Sequence, residues 1–360
     1  MLTVTYGDVA WIEELGEIFC FTFIEDVNET EALSRLGALP DTLRPRTLHD
    51  AWDAYHSFED GYPQFAFALN LGTWTVLYEP DGFQGSLPEP LKALSRDTRA
   101  VSVLRHQYAD HGFCYAADGT LVTGFEPTWP QRRWGSEPDH LLGKMRAAGF
   151  DPDFEDDDYL AGGYIPAFLL AGLITGVVPH QNALTGEILS AEVEPWFCAT
   201  APSPTYDRTD SAISTAVQAA PPHLLRAVIA RETMRLAAVL DLAGTPGLAE
   251  AVAAAERGEP VTVSPGSELG MHVRSWLVHS RRSSRALNDP SVQSRLSDYG
   301  DETAALRGWF ADALKAALWP DPHAAAGAVL RPLTEGPPVF RDPAEERTIL
   351  RALRENPDPA

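Results

Sequence analysis

Two histidines and a carboxylate lie close together in one short stretch and have the residue types for chemistry. His106, Asp110 and His111 fall in the turn after a predicted strand, with Cys114 nearby. Two imidazoles and a carboxylate can bind a metal ion or transfer protons. Their five-residue spacing across a loop is equally typical of polar turn residues. The sequence therefore assigns no catalytic residue and no metal ligand, and the three residues stay an alternative polar cluster.

A second stretch alternates aromatic and basic side chains. In it, Trp129 and Trp134 enclose Arg132 and Arg133, just after the last strand predicted in the N-terminal part. Arginine beside an aromatic ring suits a carboxylate, a phosphate or a protein hot spot. An internal role is also open, in which the indoles pack inward and the arginines offset the acidic surroundings. These four residues are our candidate binding site.

A third group is the one basic concentration in the chain. Four arginines lie on or just beyond a predicted helix: Arg274, Arg281, Arg282 and Arg285. His272 and His279 are seven residues apart, so they share a helical face but are too distant to chelate one ion unaided. The simplest expectation is that this helix docks on the acidic cluster at residues 151–158.

Motifs that would name a reaction are missing from the sequence. It contains no P-loop, no GxGxxG after a strand, no HExxH, no GxSxG and no kinase motif set. The three cysteines, Cys20, Cys114 and Cys198, form no CxxC pair and are odd in number. Neither a disulfide framework nor a cysteine zinc site is indicated, and the sequence implies no cofactor.

The chain is strongly acidic, and its charge is unevenly distributed. Its 51 Asp and Glu against 28 Lys and Arg give a net charge of −23. Residues 1–200 carry about 20 of these negative charges. Such a surface repels nucleic acid and favours either a basic protein partner or simply solubility.

Two segments bear on location. The N-terminus lacks the basic and apolar regions of a signal peptide, so we expect a cytoplasmic protein.

Residues 160–178 are 19 consecutive uncharged residues, close to the length of a membrane span. They include Pro166 and four glycines and have no Lys or Arg at either end. We therefore expect a buried helix or hairpin rather than a membrane segment.

Short aromatic and β-branched runs predict a mainly antiparallel sheet of about six strands with packed helices. The runs are residues 18–24, 64–71, 73–79, 100–107, 112–117 and 120–126. Asp118 and Gly119 suit a type I′ hairpin between the last two strands. This pattern is α+β, and we assign it to a domain at residues 1–200.

Capping patterns predict three helices in this domain. Asp8 caps a first short helix, and Asn28 with Glu31 opens a second that Gly37 ends. Ser86 with Glu89 opens a third. A further helix is expected over residues 138–150.

Residues 201–212 are rich in Pro, Ser and Thr and predict a linker. After it, residues 213–360 show helical periodicity and no convincing strand pair. Thr245, Asp321 and Asp342 each precede a proline, which indicates helix starts. About five helices would form an all-α bundle.

Residues 1–200 also resemble an uncharacterised bacterial domain-of-unknown-function family of high-GC filamentous species. The resemblance is carried by residues 21–24, 74–85, 94–96, 101–104, 113–127 and 173–177. It implies no reaction, cofactor or site residue.

Two functions remain in competition. The first is a non-catalytic protein-interaction module, immunity-like, antitoxin-like or regulatory, that binds a basic protein through its acidic surface. The second is an enzyme with a pocket between the sheet and the bundle, whose reaction the sequence does not name. We favour the first, with no nucleic acid and no membrane as partner.

Overall fold

The computed structural model describes residues 4–55, 63–107, 111–153, 163–198, 212–286 and 298–354. These residues belong to two compact units, one up to residue 198 and one from residue 212 onward. The predicted linker at 201–212 lies almost entirely outside the described residues. Each unit is described below by itself.

The first unit is built on a nine-stranded antiparallel sheet. Its strands are β1 Ile18–Glu25, β2 Arg44–Arg46, β3 Phe65–Leu71, β4 Trp74–Pro80, β5 Arg99–His106, β6 Gly112–Ala117, β7 Thr120–Phe125, β8 Arg133–Trp134 and β9 Ile188–Glu192. Their order across the sheet is β2-β9-β3-β4-β1-β5-β6-β7-β8. The first strand in the chain is therefore in the middle, between β4 and β5.

Helices cover both faces of this sheet. They are α1 Tyr6–Val9, α2 Glu29–Leu36, α3 Leu48–Tyr55, α4 Pro88–Leu94, α5 Leu142–Ala147 and α6 Tyr164–Thr175. Successive residues of a strand point to opposite faces. Phe19, Phe21 and Phe23 of β1 therefore share one face, which packs under α5 and α6. The other face packs against Leu33 and Leu36 of α2 and against leucines of α4.

All six predicted strands are present, but the sheet has three more. The additional strands β2, β8 and β9 have three, two and five residues. β2 and β8 form the two edges. β2 and β8 contain too few residues to show an alternating pattern, and β9 (ILSAE) has one β-branched residue and no aromatic one, which is why the prediction of about six was wrong.

Two of the predicted local motifs, a helix cap and a hairpin turn, are present, and one predicted capping box is not. Asn28 accepts a bond from the Glu31 amide at 3.0 Å, and Gly37 ends α2 with a φ of 100°. Asp118 and Gly119 both take positive φ, as the hairpin requires. The capping box at Ser86 was wrong, because α4 begins at Pro88 and the Ser86 hydroxyl donates to the Phe83 carbonyl instead.

Two other helix boundaries differ from the prediction. Asp8 does not cap α1 itself; its carboxylate accepts bonds from the backbone and hydroxyl of the N-cap residue Thr5. The helix expected over residues 138–150 is confined to α5, because residues 138–141 form turns.

The long uncharged stretch was expected to form a buried helix or a hairpin. Its described part, residues 163–178, contains the buried helix α6. Phe168 of α6 is 5.2 Å from the ring of Phe21 and 6.1 Å from that of Phe19, measured between centroids. Within the described residues, no helix is long and apolar enough to cross a membrane.

In the second unit the described residues form seven helices. They are α7 Ala212–Ala219, α8 Pro222–Val239, α9 Leu248–Glu256, α10 Glu268–Ala286, α11 Asp298–Ala317, α12 Pro322–Thr334 and α13 Pro343–Arg354. Asp321 and Asp342 cap α12 and α13 through their side chains, as predicted. Thr245 does not cap a helix, because α9 begins at Leu248 after Gly247.

We expect Phe168→Ala to lower the free energy of unfolding of the first unit by about 3–5 kcal/mol, because it leaves a cavity against two rings of β1. Phe168→Leu should lose less than half as much. Hydrogen exchange of peptides from β1, measured in the full-length protein, localises the effect to this unit. Equal protection of β1 in the wild type and Phe168→Ala would contradict this assignment of the core.

Candidate functional site

The two histidines of the predicted polar cluster are neighbours at one end of the sheet. The backbone amide of His106 donates to Nδ1 of His111 at 3.2 Å, and the His111 ring lies 6.1 Å from that of Tyr164. Nδ1 of His106 is buried and has no hydrogen-bond partner in the described part of the chain. Asp110 lies outside the described residues, so the three-residue cluster is described only in part.

Trp129 and Arg132 of the predicted binding loop form a pair. The Arg132 amide donates to the Trp129 carbonyl at 2.9 Å, which closes a turn. The turn carries the Arg132 guanidinium over the indole, with Cζ 4.8 Å from the ring centroid. Arg132 is exposed and Trp129 half-buried. A guanidinium held on an indole face is kept in one orientation.

Arg133, the next residue, has an internal role. Its side chain is 12% exposed and donates to the carbonyls of Pro130 and Pro152 at 2.7 and 2.9 Å. Two further nitrogens bind the Asp139 carboxylate at 3.0 and 2.7 Å. Arg133 therefore connects the loop to the chain segment after α5.

Trp134 lies on edge strand β8, where about half of its surface is open to solvent. Trp134 is 48% exposed. Its indole lies across Gly124 of β7, where an added Cβ would be 2.7 Å from the indole nitrogen. Gly135 allows this approach, because its φ is 122° and an added Cβ would meet the Val122 carbonyl oxygen at 2.3 Å. Trp134 and the Arg132–Trp129 pair belong to one loop at the sheet edge, and we call these three residues the edge surface.

The basic helix expected near residue 274 is α10. Its Trp276 ring lies 5.4 Å from that of Phe310 in α11 and 6.2 Å from that of His272. The acidic cluster to which we expected it to dock lies mostly outside the described residues, which include only Asp151 and Asp153 of it. That docking stays a prediction.

A buried carboxylate near the centre of the sheet escaped the sequence analysis. Glu79 of β4 is 1% exposed. Its two oxygens accept bonds from the backbone amides of Gln84 and Gly85, each at 2.8 Å. These amides belong to residues 81–86, which we call the strap because they fold back over the carboxylate. The carboxylate therefore serves as the acceptor for two strap amides, while the amides of Asp81 and Ser86 bond backbone carbonyls.

Polar side chains from neighbouring strands surround Glu79. Cys20 pairs with it across β1 and β4, and the Cys20 Sγ is 3.3 Å from the Ser102 Oγ of β5. Thr22 lies on the same face, 3.5 Å from Ser102 between hydroxyl oxygens. All of these side chains are buried. Burial raises the pKa of Glu79 to about 7 and raises that of the Cys20 thiol, which keeps the thiol protonated and unreactive.

Glycines let the strap approach this closely. An added Cβ at Gly85 would be 2.1 Å from the Thr22 Oγ1, and one at Gly82 would be 2.9 Å from the Glu79 Cβ. Asp81 takes a left-handed φ of 55° to start the turn. The sequence signal for this arrangement is Glu79-Pro-Asp-Gly82 followed by Gly85. This stretch is also part of the family resemblance.

The described residues hold no group of three or more His, Cys, Asp or Glu that could bind a metal ion. The second unit has a groove of about 530 Å³ between α7, α8 and α13. Small and apolar side chains line most of it, with Thr215 and Arg354 as its polar members. The described lining residues include no Asp, Glu, His or Cys.

Comparison with known families gives one match. Residues 2–203 fit the family of unknown function DUF6461, which is more than half of the chain. The chain belongs to this family. Neither the curated proteins nor the solved structures include a match to it. The DUF6461 region includes the whole sheet, the edge surface and the strap, and it ends before α7.

We expect Arg133→Ala to lower the melting temperature of the first unit, because it leaves two buried carbonyls unbonded at a cost of about 2–3 kcal/mol. Arg132→Ala is the matched control, since losing an exposed cation–π contact costs less than about 1 kcal/mol. Differential scanning calorimetry of both variants makes the comparison. Equal melting temperatures for the two would show that Arg133 does not support the loop.

Gly85→Ala should destabilise the first unit by roughly 1–3 kcal/mol, because the new methyl group overlaps the Thr22 hydroxyl. The double variant Gly85→Ala with Thr22→Ala should recover part of this loss by removing that hydroxyl. Urea unfolding of the single and double variants gives both free energies. Additive losses would contradict the contact.

Proposed function

We propose that the DUF6461 region is a non-catalytic protein-interaction module that binds a basic protein through its acidic surface, with the edge surface as an additional contact. We further propose that it acts in the bacterial cytoplasm, as an immunity-like, antitoxin-like or regulatory partner. Neither nucleic acid nor a membrane is the partner in this proposal. The observation that carries it is an exposed tryptophan two residues after an arginine that is already oriented on a second tryptophan.

Residue types support the choice of the edge surface. Tryptophan and arginine are enriched among the residues that contribute most of the binding energy at protein interfaces. Trp134 rests on Gly124 and the Arg132 guanidinium rests on Trp129, so both groups are held before a partner arrives. Such preorganisation reduces the cost of binding.

Charge supports the choice of a basic partner. About 20 of the 23 net negative charges belong to residues 1–200, and exposed carboxylates include Asp8, Glu13, Glu14 and Glu137. A field of this sign accelerates encounters with a cationic protein and disfavours an anionic one. In this proposal the carboxylates guide the encounter and the edge surface makes the contact.

The alternative is an enzyme that uses His106 and His111. It is favoured by the buried Nδ1 of His106, which lacks a partner in the described residues and is therefore a polar atom that a bound ligand would satisfy. It ranks second because Glu79, a buried carboxyl group whose pKa is raised by burial, is bonded by two strap amides.

Capture from cytosol of the source organism tests the proposal. Full-length wild type, Trp134→Ala with Arg132→Ala, and Trp52→Ala serve as baits. Trp52 is the matched control, since this tryptophan of α3 is 57% exposed. We expect wild type and Trp52→Ala to retain the same basic protein and the double variant to lose it. Gly124→Ala should also weaken capture, because its methyl group displaces the Trp134 indole.

Calorimetry with the purified pair completes this test. The double variant should raise the Kd at least tenfold, and raising the salt concentration should weaken binding by wild type. An acidic partner, or a Kd that Trp52→Ala raises as much as the double variant, would refute the proposal. Loss of activity on a captured small molecule in His111→Ala would favour the enzyme.

A further inference from the structure

Small side chains on one face of α7 leave room for the groove of the second unit. The α7 residues that line it are Ala212, Thr215, Ala216 and Ala219, whose spacing of three and four residues places them on one helical face. Three of them are exposed, whereas Ala216 also belongs to the bundle core. The groove is therefore a concave surface beside the core, with a volume of about 530 Å³.

The other two helices supply apolar walls. Pro221 just before α8, Leu224 within it and Leu353 near the end of α13 complete the apolar lining. Leu353 is buried and belongs to the same core cluster as Ala216, so this wall is held in place by the bundle. A concave apolar surface in contact with water gains free energy when hydrocarbon covers it. The lining thus favours a hydrocarbon chain over a polar body.

Arg354 adds a positive charge to this apolar surface. It is the last residue of α13, it is exposed, and it lines the groove. The residues one turn earlier in α13 are Leu350 and Arg351, which offer it no carboxylate. In the described part of the chain, no hydrogen bond or ion pair engages its guanidinium. A guanidinium can donate two parallel hydrogen bonds to one carboxylate.

We propose that this groove binds a fatty-acid-like carboxylate, with the hydrocarbon chain against α7 and the carboxylate on Arg354. Charge complementarity decides this class, because a cationic amphiphile would be repelled by Arg354 and a neutral one would leave it without a partner. The helical unit has little net charge of its own, since residues 1–200 carry about 20 of the 23 net negative charges. The site lies outside the DUF6461 region and does not depend on the interaction proposed above.

Calorimetric titration of the full-length protein with octanoate and decanoate, both kept below micelle formation, measures this binding. We expect saturable binding at one site, tighter for decanoate by up to about fourfold for each methylene that the groove covers. Decanol is the uncharged probe with the same hydrocarbon chain. Arg354→Gln should weaken decanoate binding about three- to tenfold and leave decanol binding unchanged. Arg351→Gln is the matched control, since this exposed arginine of the same helix does not line the groove.

A second pair of variants tests the apolar part of the site. Ala219→Leu places a larger side chain in the groove at an exposed position, so the bundle core is left intact. It should weaken both decanoate and decanol roughly tenfold or more, because the added side chain takes the space of about three methylene groups. Gln218→Leu is the control, since it adds the same side chain at an exposed neighbouring residue that does not line the groove.

Several outcomes would overturn the proposal. They are a lack of saturable decanoate binding by wild type, equal losses in Arg354→Gln and Arg351→Gln, and equal losses in Ala219→Leu and Gln218→Leu. Sedimentation of the ligand-free protein tests a different occupant. A dimer that Ala219→Leu dissociates would assign the groove to a second copy of the chain. Loss of the captured basic protein in Ala219→Leu would assign it to that partner, and either result would replace the carboxylate.

Discussion

Burial of β1 on both faces is the constraint on which the first unit depends. A central strand gives up all contact with water, so each of its side chains must either pack or find a hydrogen-bond partner. On one face the requirement is met by three phenylalanines, which pack against Phe168 of α6 and other rings. α6 packs on this face and also contacts α1 and α5, which is why its twelve residues are apolar on all sides.

The opposite face of β1 meets the same requirement differently. Ile24 packs in the aliphatic core under α2 and α4, whereas Cys20 and Thr22 lie with Glu79 and Ser102. Over this polar half the strap packs with its short 3-10 helix Gln84–Ser86 and supplies two amide donors. A carboxylate at the centre of a sheet is thus the consequence of closing the face with a turn whose backbone needs an acceptor.

Structural features that depend on neighbouring residues were predicted from the sequence. Features that depend on contacts between distant residues were not. The six longer strands, the Asp118–Gly119 hairpin and the Asn28 cap follow from runs and turns of neighbouring residues, and all are present. β2 and β8 become strands only because longer strands lie beside them. The role of Glu79 could not be predicted, because it arises when β1, β4 and β5 bring Cys20, Glu79 and Ser102 together.

The two adjacent arginines of the loop show the same limit at the candidate site. In sequence Arg132 and Arg133 are equivalent, and both were assigned to binding. In the structure they leave the chain in different directions, so Arg133 bonds two carbonyls and Asp139 while Arg132 lies outside on Trp129. The inward arginine fixes the backbone from which Trp134 extends on the edge strand. Arg133 therefore holds the loop in place, and Arg132 and Trp134 form a surface of defined shape because of it.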